Sequence, residues 1–223
     1  FYTNTNVDNF LLEEGIDFSK KDINDINWLD EWKKYLKPDL LTDNFAYINS
    51  KDIIFENINT IYIKPALAFG TGSHPTTRNA ATLLEGVCKD RVVLDVGCGS
   101  CILSILAEKS GAKKVIACDI DKLCVLNIID NLKDNNCNKI YAYIGSIDFN
   151  YDKIKCDVIV ANIIYEVIAN LWEYFLYISP KFIILSGFLG NDLNNFLSNY
   201  DLKDYKIDCL TFNSSWWGIR LCK

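Results

Sequence analysis

The chain has 223 residues, of which 50% are hydrophobic and 23% are charged, as in a globular protein with one α/β domain of ordinary size. Its formal net charge of −6 repels phosphate backbones, so direct binding of nucleic acid is disfavoured and a basic partner is favoured. No apolar run approaches the roughly 20 residues that cross a bilayer, and residues 1–18 lack the pattern of a secretory signal. We therefore expect a cytoplasmic protein without a membrane partner.

The first 40 residues form the first unit that we expect. Apolar residues at helical spacing (Ile26, Leu29, Trp32 and Leu36) predict a short amphipathic helix that Pro38 ends. We accordingly divide the chain into an N-terminal segment with a linker helix, residues 1–40, and a main domain, residues 41–223. Residues 44–64 read as short β segments.

From residue 91 onward, short apolar runs alternate with helical patterns. The runs predict five strands: Arg91–Val96, Lys114–Ile120, Ile140–Ile144, Asp157–Ala161 and Phe182–Leu185. Apolar residues between them predict the buried faces of three helices: Ile102, Ile105 and Leu106; Val125, Leu126, Ile129 and Leu132; and Val167, Ile168, Leu171, Phe175 and Ile178. Continuous apolar strands separated by helices indicate a mostly parallel sheet that is covered on both faces.

The C-terminal end follows a different pattern. Two strand-like runs, Tyr205–Phe212 and Trp216–Leu221, are joined by Asn213, Ser214 and Ser215, which predicts an antiparallel hairpin. Five βα units followed by a hairpin predict an α/β, Rossmann-like sheet of seven strands. This order of elements resembles that of class I methyltransferases.

A glycine loop follows the first predicted strand of the main sheet. Asp95, Gly97 and Gly99 form a D-x-G-x-G pattern that opens a helix, and glycines there allow close approach of a ligand to the backbone. A dinucleotide-binding loop needs a third glycine where this chain has Ile102, a branched residue that obstructs the approach of a pyrophosphate. The loop therefore favours S-adenosylmethionine over NAD as the cofactor.

Asp119 ends the second predicted strand, 22 residues beyond Gly97. This is the distance expected for a carboxylate that accepts hydrogen bonds from ribose hydroxyls. The alternative is that Asp119 caps the helix predicted over 122–136.

Nine cysteines, an odd number, occupy mostly apolar stretches, which is typical of small core residues in a reducing compartment. Cys98 and Cys101 form a C-x-x-C pair inside the glycine loop, but no second pair completes a zinc site. We interpret all nine as structural and predict no metal site.

Four segments resemble the PrmA family, the ribosomal protein L11 methyltransferases. Phe69–Thr77 (FGTGSHPTT) is similar to the F-G-T-G-x-H-x-T-T signature of that family, and residues 158–163 (VIVANI) resemble its V-V-A-N-I segment. Residues 28–38 resemble its W-x3-W-K segment, and residues 216–223 resemble its final strand. The resemblance covers residues 28–223.

The resemblance implies that Thr77, Gly97, Asp119 and Asn162 contact the cofactor, beside Asp95 and Gly99 of the glycine loop. Pro75 suits the first turn of a helix whose N-terminal amides face the cofactor, and Thr77 adds a hydroxyl there, although it could simply cap the helix. Asn162 is the implied catalytic residue, because an amide at the end of strand four can orient the accepting nitrogen. A turn-forming role for Asn162 stays open. His74 is not assigned as a general base.

The implied reaction is methylation of lysine or N-terminal amines of ribosomal protein L11, a basic protein partner, by a catalytic domain spanning residues 41–223. Two features depart from the family. Cys101 stands where the family has glycine, and 27 residues precede Trp28, where the family has a substrate-recognition domain. The 1–40 segment is thus expected to be a remnant of that domain.

Two alternatives to this function share most of its motifs. A lysine methyltransferase for another protein would carry all of them, and a non-catalytic module that binds S-adenosylmethionine would keep the fold. A nucleic-acid amino methyltransferase is disfavoured, because it should show N-P-P-Y/F where this chain has residues 162–165 (NIIY).

Overall fold

The computed structural model describes residues 37–64, 72–149 and 151–223. The helix predicted over residues 26–36 and the first three residues of the FGTGSHPTT segment lie outside the described residues. Among the residues described, no helix is long and apolar enough to cross a membrane.

The described ranges hold two sheets, five α-helices and two single-turn 3-10 helices, Ile147–Phe149 and Tyr151–Lys153. A small sheet holds β1 (Asp39–Leu40), β2 (Phe45–Ile48) and β3 (Asn59–Tyr62). The larger sheet holds β4 (Val92–Val96), β5 (Lys114–Asp119), β6 (Ile140–Ile144), β7 (Val158–Asn162), β8 (Phe182–Leu189), β9 (Lys206–Asn213) and β10 (Trp216–Cys222). The helices are α1 (Pro75–Glu85), α2 (Ile102–Lys109), α3 (Cys124–Asp134), α4 (Tyr165–Ile178) and α5 (Asp192–Asn199).

The larger sheet has seven strands in the order β6-β5-β4-β7-β8-β10-β9. The pairs from β6 to β8 are parallel, and β10 runs antiparallel between β8 and β9. This confirms the predicted α/β, Rossmann-like fold with a closing hairpin. The chain order reverses between β4 and β7, and in open α/β sheets such a reversal creates a ligand crevice at the carboxyl ends of the strands.

Apolar residues cover both faces of this sheet. On one face, Val93 and Ile184 pack with Leu84 of α1 and Ile105 of α2. On the other face, the core includes Trp172 of α4, which is fully buried. Strands that are buried on both faces can be apolar throughout, which is why residues 158–161 of β7 and the first half of β8 read as unbroken apolar runs, whereas Asp95 interrupts the run of β4.

The small sheet is tied to α3 by two asparagines, the buried Asn131 and the partly buried Asn135, which is the C-cap of the helix. The backbone N–H of Tyr62 donates to Asn135 Oδ1 and that of Lys64 to Asn131 Oδ1, each at 3.0 Å. Asn131 is fully buried, and its Nδ2 also donates to the carbonyl of Ser100 at 2.9 Å. These bonds fasten the sheet, α3 and the glycine loop to one another.

The predicted buried face of α3 is wrong at Leu126 and Ile129, whereas Leu132 is partly buried against the core. Leu126 and Ile129 are 77% and 56% exposed, whereas Asn127, Ile128 and Asn131 are buried. The helix turns its asparagines inward because buried backbone groups of the small sheet and the glycine loop need hydrogen-bond partners. Apolar periodicity cannot detect such a face.

Candidate active site

A cavity of about 560 Å³ lies at the carboxyl ends of the parallel strands. Its walls come from the loops after β4, β5, β6 and β7, the N-terminus of α1, the end of β8 and the start of β10. The lining residues are His74, Thr76, Val96, Gly97, Gly99, Cys118, Asp119, Ile120, Asp121, Cys124, Gly145, Ser146, Asn162, Ile163, Ile164, Val167, Asn170, Leu171, Gly187 and Trp216. This position is the crevice that the reversal of strand order creates.

The glycine loop, residues 97–99, forms the floor of the cavity. Gly97 has φ +73°, and a Cβ there would lie 2.4 Å from Cγ2 of Ile163. A side chain at position 97 would therefore collide with Ile163 as well as strain the backbone. Cys101 follows with φ 64° and stands immediately before α2, in a left-handed conformation that glycine adopts more easily.

Asp119 holds the glycine loop from the end of β5. Its Oδ2 accepts from the N–H of Gly99 at 2.8 Å, and its Oδ1 accepts from the N–H of Asp121 at 2.9 Å. Its side chain does not cap α3, whose first residue is Cys124. Asp119 thus forms one wall of the cavity, and its oxygens can accept further hydrogen bonds.

Asp95 lies beneath the glycine loop and not among the lining residues. It is 1% exposed, and its Oδ2 accepts from the hydroxyl of Ser104 at 2.5 Å, while Oδ1 has no hydrogen-bond partner. Burial raises the pKa of Asp95 to about 7, the Ser104 hydrogen bond opposes this, and the Asp119 charge adds to it. Near pH 7 the neutral and ionised forms of the Asp95 carboxyl are therefore both populated.

Asn162 ends β7 and lines the cavity opposite Asp119. Its Nδ2 donates to Oγ1 of Thr77 at 3.3 Å, which leaves Oδ1 as the end of the amide for an acceptor role. Thr77 is fully buried behind Asn162, and its neighbour Thr76 lines the cavity instead. The structure therefore brings Gly97, Gly99, Asp119 and Asn162 to the cavity and places Thr77 and Asp95 behind its wall.

His74 begins α1 as its N-cap. Nδ1 accepts from the N–H of Thr76 at 3.3 Å and lies 2.8 Å from Oγ1 of Thr76, and Pro75 occupies the first turn as predicted. Burial lowers the pKa of His74, so the ring is neutral at neutral pH. Its Nδ1 is engaged in capping and is not available to take a proton from a ligand.

Trp216 and Thr76 are cavity residues that sequence reasoning missed. Trp216 begins β10, which inserts between β8 and β9 and so carries the ring to the cavity. No local pattern marks this residue, because its position depends on the pairing of distant strands. Thr76 could have been found as the neighbour of Thr77 in the predicted first turn of α1.

The charge of the cavity selects among ligands. Asp119 and Asp121 are the carboxylates of its wall, and no Lys or Arg occurs among the lining residues that the structure describes. Such a wall attracts a cation and offers nothing to neutralise a phosphate or pyrophosphate. Within the described ranges, no group of three or more His, Cys, Asp or Glu could hold a metal ion, and all nine cysteines are free thiols.

A model of the family "Ribosomal protein L11 methyltransferase (PrmA)" matches residues 3–223. The chain belongs to this family. The match extends beyond the residues 28–223 over which the resemblance was traced by motifs.

Three relatives illustrate how similar this chain is to proteins of the family and how much of each chain the match covers. The ribosomal protein L11 methyltransferase of Acetivibrio thermocellus is 42% identical over 148 residues, covering 65% of this chain and 47% of that protein. That of Ruminiclostridium cellulolyticum is 38% identical over 192 residues, covering 82% of this chain and 60% of that protein. A crystal structure of the ribosomal protein L11 methylase of Lactobacillus delbrueckii subsp. bulgaricus is 28% identical with a TM-score of 0.75, and the match covers 84% of this chain and 99% of that one. The chain thus spans about half to three fifths of the length of the first two relatives.

Proposed function

We propose that this protein is an S-adenosylmethionine-dependent N-methyltransferase that methylates lysine or N-terminal amines of ribosomal protein L11. The observation that carries the proposal is the cavity at the reversal of strand order, with Asp119 and Asn162 on opposite walls and the glycine loop between them. Membership of the PrmA family supports it. A cytoplasmic location is proposed with it, as the place where ribosomal proteins are made.

The residues of the cavity fit S-adenosylmethionine. Its volume of about 560 Å³ is in the range of small-molecule sites. A Cβ on Gly97 would collide with Ile163, which also lines the cavity, so this stretch of the lining has room only for glycine. The wall carries carboxylates and no described Lys or Arg, as suits a sulfonium cation. Asp119 would accept hydrogen bonds from the ribose hydroxyls, and Gly97 and Gly99 would contact the ligand through their backbone.

Thr77 and Asp95 are proposed to assist from behind the wall. Thr77 receives the hydrogen bond of the Asn162 amide, so it sets the direction of that amide. Asp95 lies beneath the loop, where a negative charge would favour a bound cation. Direct contact with the cofactor is proposed for Gly97, Gly99, Asp119 and Asn162.

S-adenosylmethionine supplies an activated methyl group, so the protein contributes alignment and a neutral acceptor amine. A lysine amine with a pKa near 10.4 costs about 4–5 kcal/mol to deprotonate at pH 7, whereas an α-amine near 8 costs about 1 kcal/mol. Removal of water from the amine inside the cavity lowers this cost. Oδ1 of Asn162 would accept a hydrogen bond from the amine N–H and so direct the nitrogen lone pair toward the methyl group.

The net charge supports a basic protein as the target. At −6 the chain attracts a positively charged partner and repels nucleic acid. A different basic protein would meet the same attraction, so the choice of substrate rests on family membership.

The test is intact-mass analysis of recombinant ribosomal protein L11 after incubation with this protein and S-adenosylmethionine. We expect mass gains in steps of one methyl group. Asp119→Asn should abolish them through lost cofactor affinity, whereas Asn162→Ala should still bind S-adenosylhomocysteine but transfer about 10²-fold more slowly. Asp204→Asn, at an exposed carboxylate away from the cavity, should behave as the unmodified protein.

Each alternative gives a different result. Binding of S-adenosylhomocysteine without methylation of L11, but with methylation of another basic protein, indicates another target. Binding without methylation of any protein indicates a non-catalytic module. Failure to bind S-adenosylhomocysteine overturns the proposed function.

A further inference from the structure

The cavity divides into two halves about the glycine loop. On one side, Asp119 and Gly145 follow β5 and β6, and on the other side Asn162, Gly187 and Trp216 belong to β7, β8 and β10. The sheet order places these two groups on opposite sides of β4. If the cofactor ribose meets Asp119, the second half is the space left for the acceptor.

Trp216 is the large aromatic residue of the acceptor half. Its ring is half-buried and meets the ring of His74 edge to face, with 5.2 Å between centroids and 67° between planes. His74 is in turn held as the N-cap of α1. The indole is thus braced from the side of α1 while it lines the cavity.

Asn79 holds the backbone of Trp216. It is 4% exposed, and its Nδ2 donates to the carbonyl of Trp216 at 2.9 Å. Close packing of α1 on β10 depends on Gly218, where a Cβ would lie 3.1 Å from both Cβ of Asn79 and Cδ1 of Leu83. The buried amide of Asn79 thus donates to the carbonyl of Trp216, and Gly218 allows α1 to pack closely on β10. Together these two contacts constrain the position of Trp216.

We propose that Trp216 is a specificity-determining residue whose indole forms the wall against an alkylammonium acceptor, including its partly methylated forms, and that Asn79 is the positioning residue that holds this wall. The assignment of the acceptor half rests on the proposed function. The indole would hold the amine in its cationic form before proton loss, and the amide of Asn162 would orient the neutral amine that then accepts the methyl group.

The physical basis is the attraction between a cation and an aromatic face. Methyl groups on nitrogen replace N–H donors with apolar surface, which an indole contacts well and a hydrogen-bond acceptor does not. His74 beside it is neutral at neutral pH, because burial lowers its pKa, and so it does not repel the ligand. The wall therefore matters most after the first methyl group has been added.

The test uses two probes on the protein loaded with S-adenosylhomocysteine: Nα-acetyl-trimethyllysine amide and its neutral analogue with carbon in place of the quaternary nitrogen. NMR titration measures both affinities. The unmodified protein should prefer the cation by about threefold to thirtyfold. Trp216→Phe should keep part of this preference and Trp216→Leu should lose it.

Two further variants separate recognition from general structure. The matched control is Trp217→Leu, because Trp217 is the adjacent tryptophan and packs on Phe212, with 4.6 Å between centroids, and not on the cavity. It should keep the preference. Asn79→Leu has a similar size and removes the N–H donor without adding a charge, and it should reduce the preference while affinity for S-adenosylhomocysteine stays within about twofold.

Equal preference in Trp216→Leu and the unmodified protein overturns the proposal, and so does an equal loss in Trp217→Leu. Failure of the proposed function has a separate signature, since S-adenosylhomocysteine then does not bind to the unmodified protein. In that case the same titration of the protein alone still reports whether Trp216 discriminates the cation.

Discussion

The buried carboxyl of Asp95 makes the stability of this protein depend on pH. The substitution to make is Asp95→Asn, because asparagine has the shape of the protonated acid but cannot ionise. The amide oxygen of the introduced asparagine can still accept the hydrogen bond that the Ser104 hydroxyl donates to Oδ2 of Asp95. Any change in the effect of this substitution with pH therefore reports the ionisation of Asp95.

The sign follows from the two pKa values. Asp95 has a pKa of about 7 in the folded chain against an ordinary value of 3.8, so the folded chain binds this proton more tightly and loses stability as the pH rises from about 4 to 7. Each pKa unit is worth about 1.4 kcal/mol, so the whole loss is about 4 kcal/mol. About 2 kcal/mol of it develops above pH 5.5, and the loss is complete above about pH 7.

Urea unfolding between pH 5.5 and 8.5 measures this effect. We expect the free energy of unfolding of Asp95→Asn, relative to the unmodified protein, to increase by about 2 kcal/mol over this range. Ser104→Ala should show the opposite trend, because it removes the hydrogen bond that favours the charged form. A stability difference for Asp95→Asn that is constant across the range would refute the argument.

Two further predictions concern packing. Gly187 has φ +114° and a Cβ there would lie 2.1 Å from the carbonyl oxygen of Ile163, so Gly187→Ala should lower the free energy of unfolding by more than about 3 kcal/mol. Gly86, with φ −70° and nothing within 4 Å, is its control, and Gly86→Ala should be neutral or stabilise by up to about 1 kcal/mol in the same denaturation assay. On α3, the side chain of Ile128 is 4% exposed and that of Leu126 is 77% exposed. Thermal unfolding should show that Ile128→Ala lowers the free energy of unfolding by about 2–5 kcal/mol and that Leu126→Ala lowers it by less than about 0.5 kcal/mol. Equal effects at the two positions would contradict the observed face of the helix.

The central strands of the larger sheet were predictable because they are buried on both faces. Residues 158–161 are all buried and all apolar, so the strand reads directly from its composition. The end of β8 was not predicted, since Ser186 and Gly187 interrupt the apolar run. Ser186 is fully buried there because its hydroxyl donates to the carbonyl of Thr76 at 2.9 Å, a contact between residues distant in sequence.

The spacing of residues along the chain was enough to predict the part of the candidate site that lies at the ends of the consecutive strands β4 and β5. Gly97, Gly99 and Asp119 follow neighbouring strands, so the distance between them in sequence fixes their distance in space. Such local relations also identified the Pro75 start of α1. The resemblance of short motifs then implied the family, and the match over residues 3–223 confirmed it.

Tertiary structure alone decided which side chains complete the cavity. Thr76 lines it and Thr77 lies behind Asn162, because the direction of each side chain depends on how α1 packs on the sheet. Trp216 reaches the acceptor half because β10 pairs with β8 and β9, and Asn131 faces inward because the backbone of Lys64 needs a hydrogen-bond partner. The hydrogen bonds of Thr77 and Asn131 join residues 85 and 67 positions apart, and the place of Trp216 follows from strand pairing. Periodicity in sequence indicates burial but does not identify the partner.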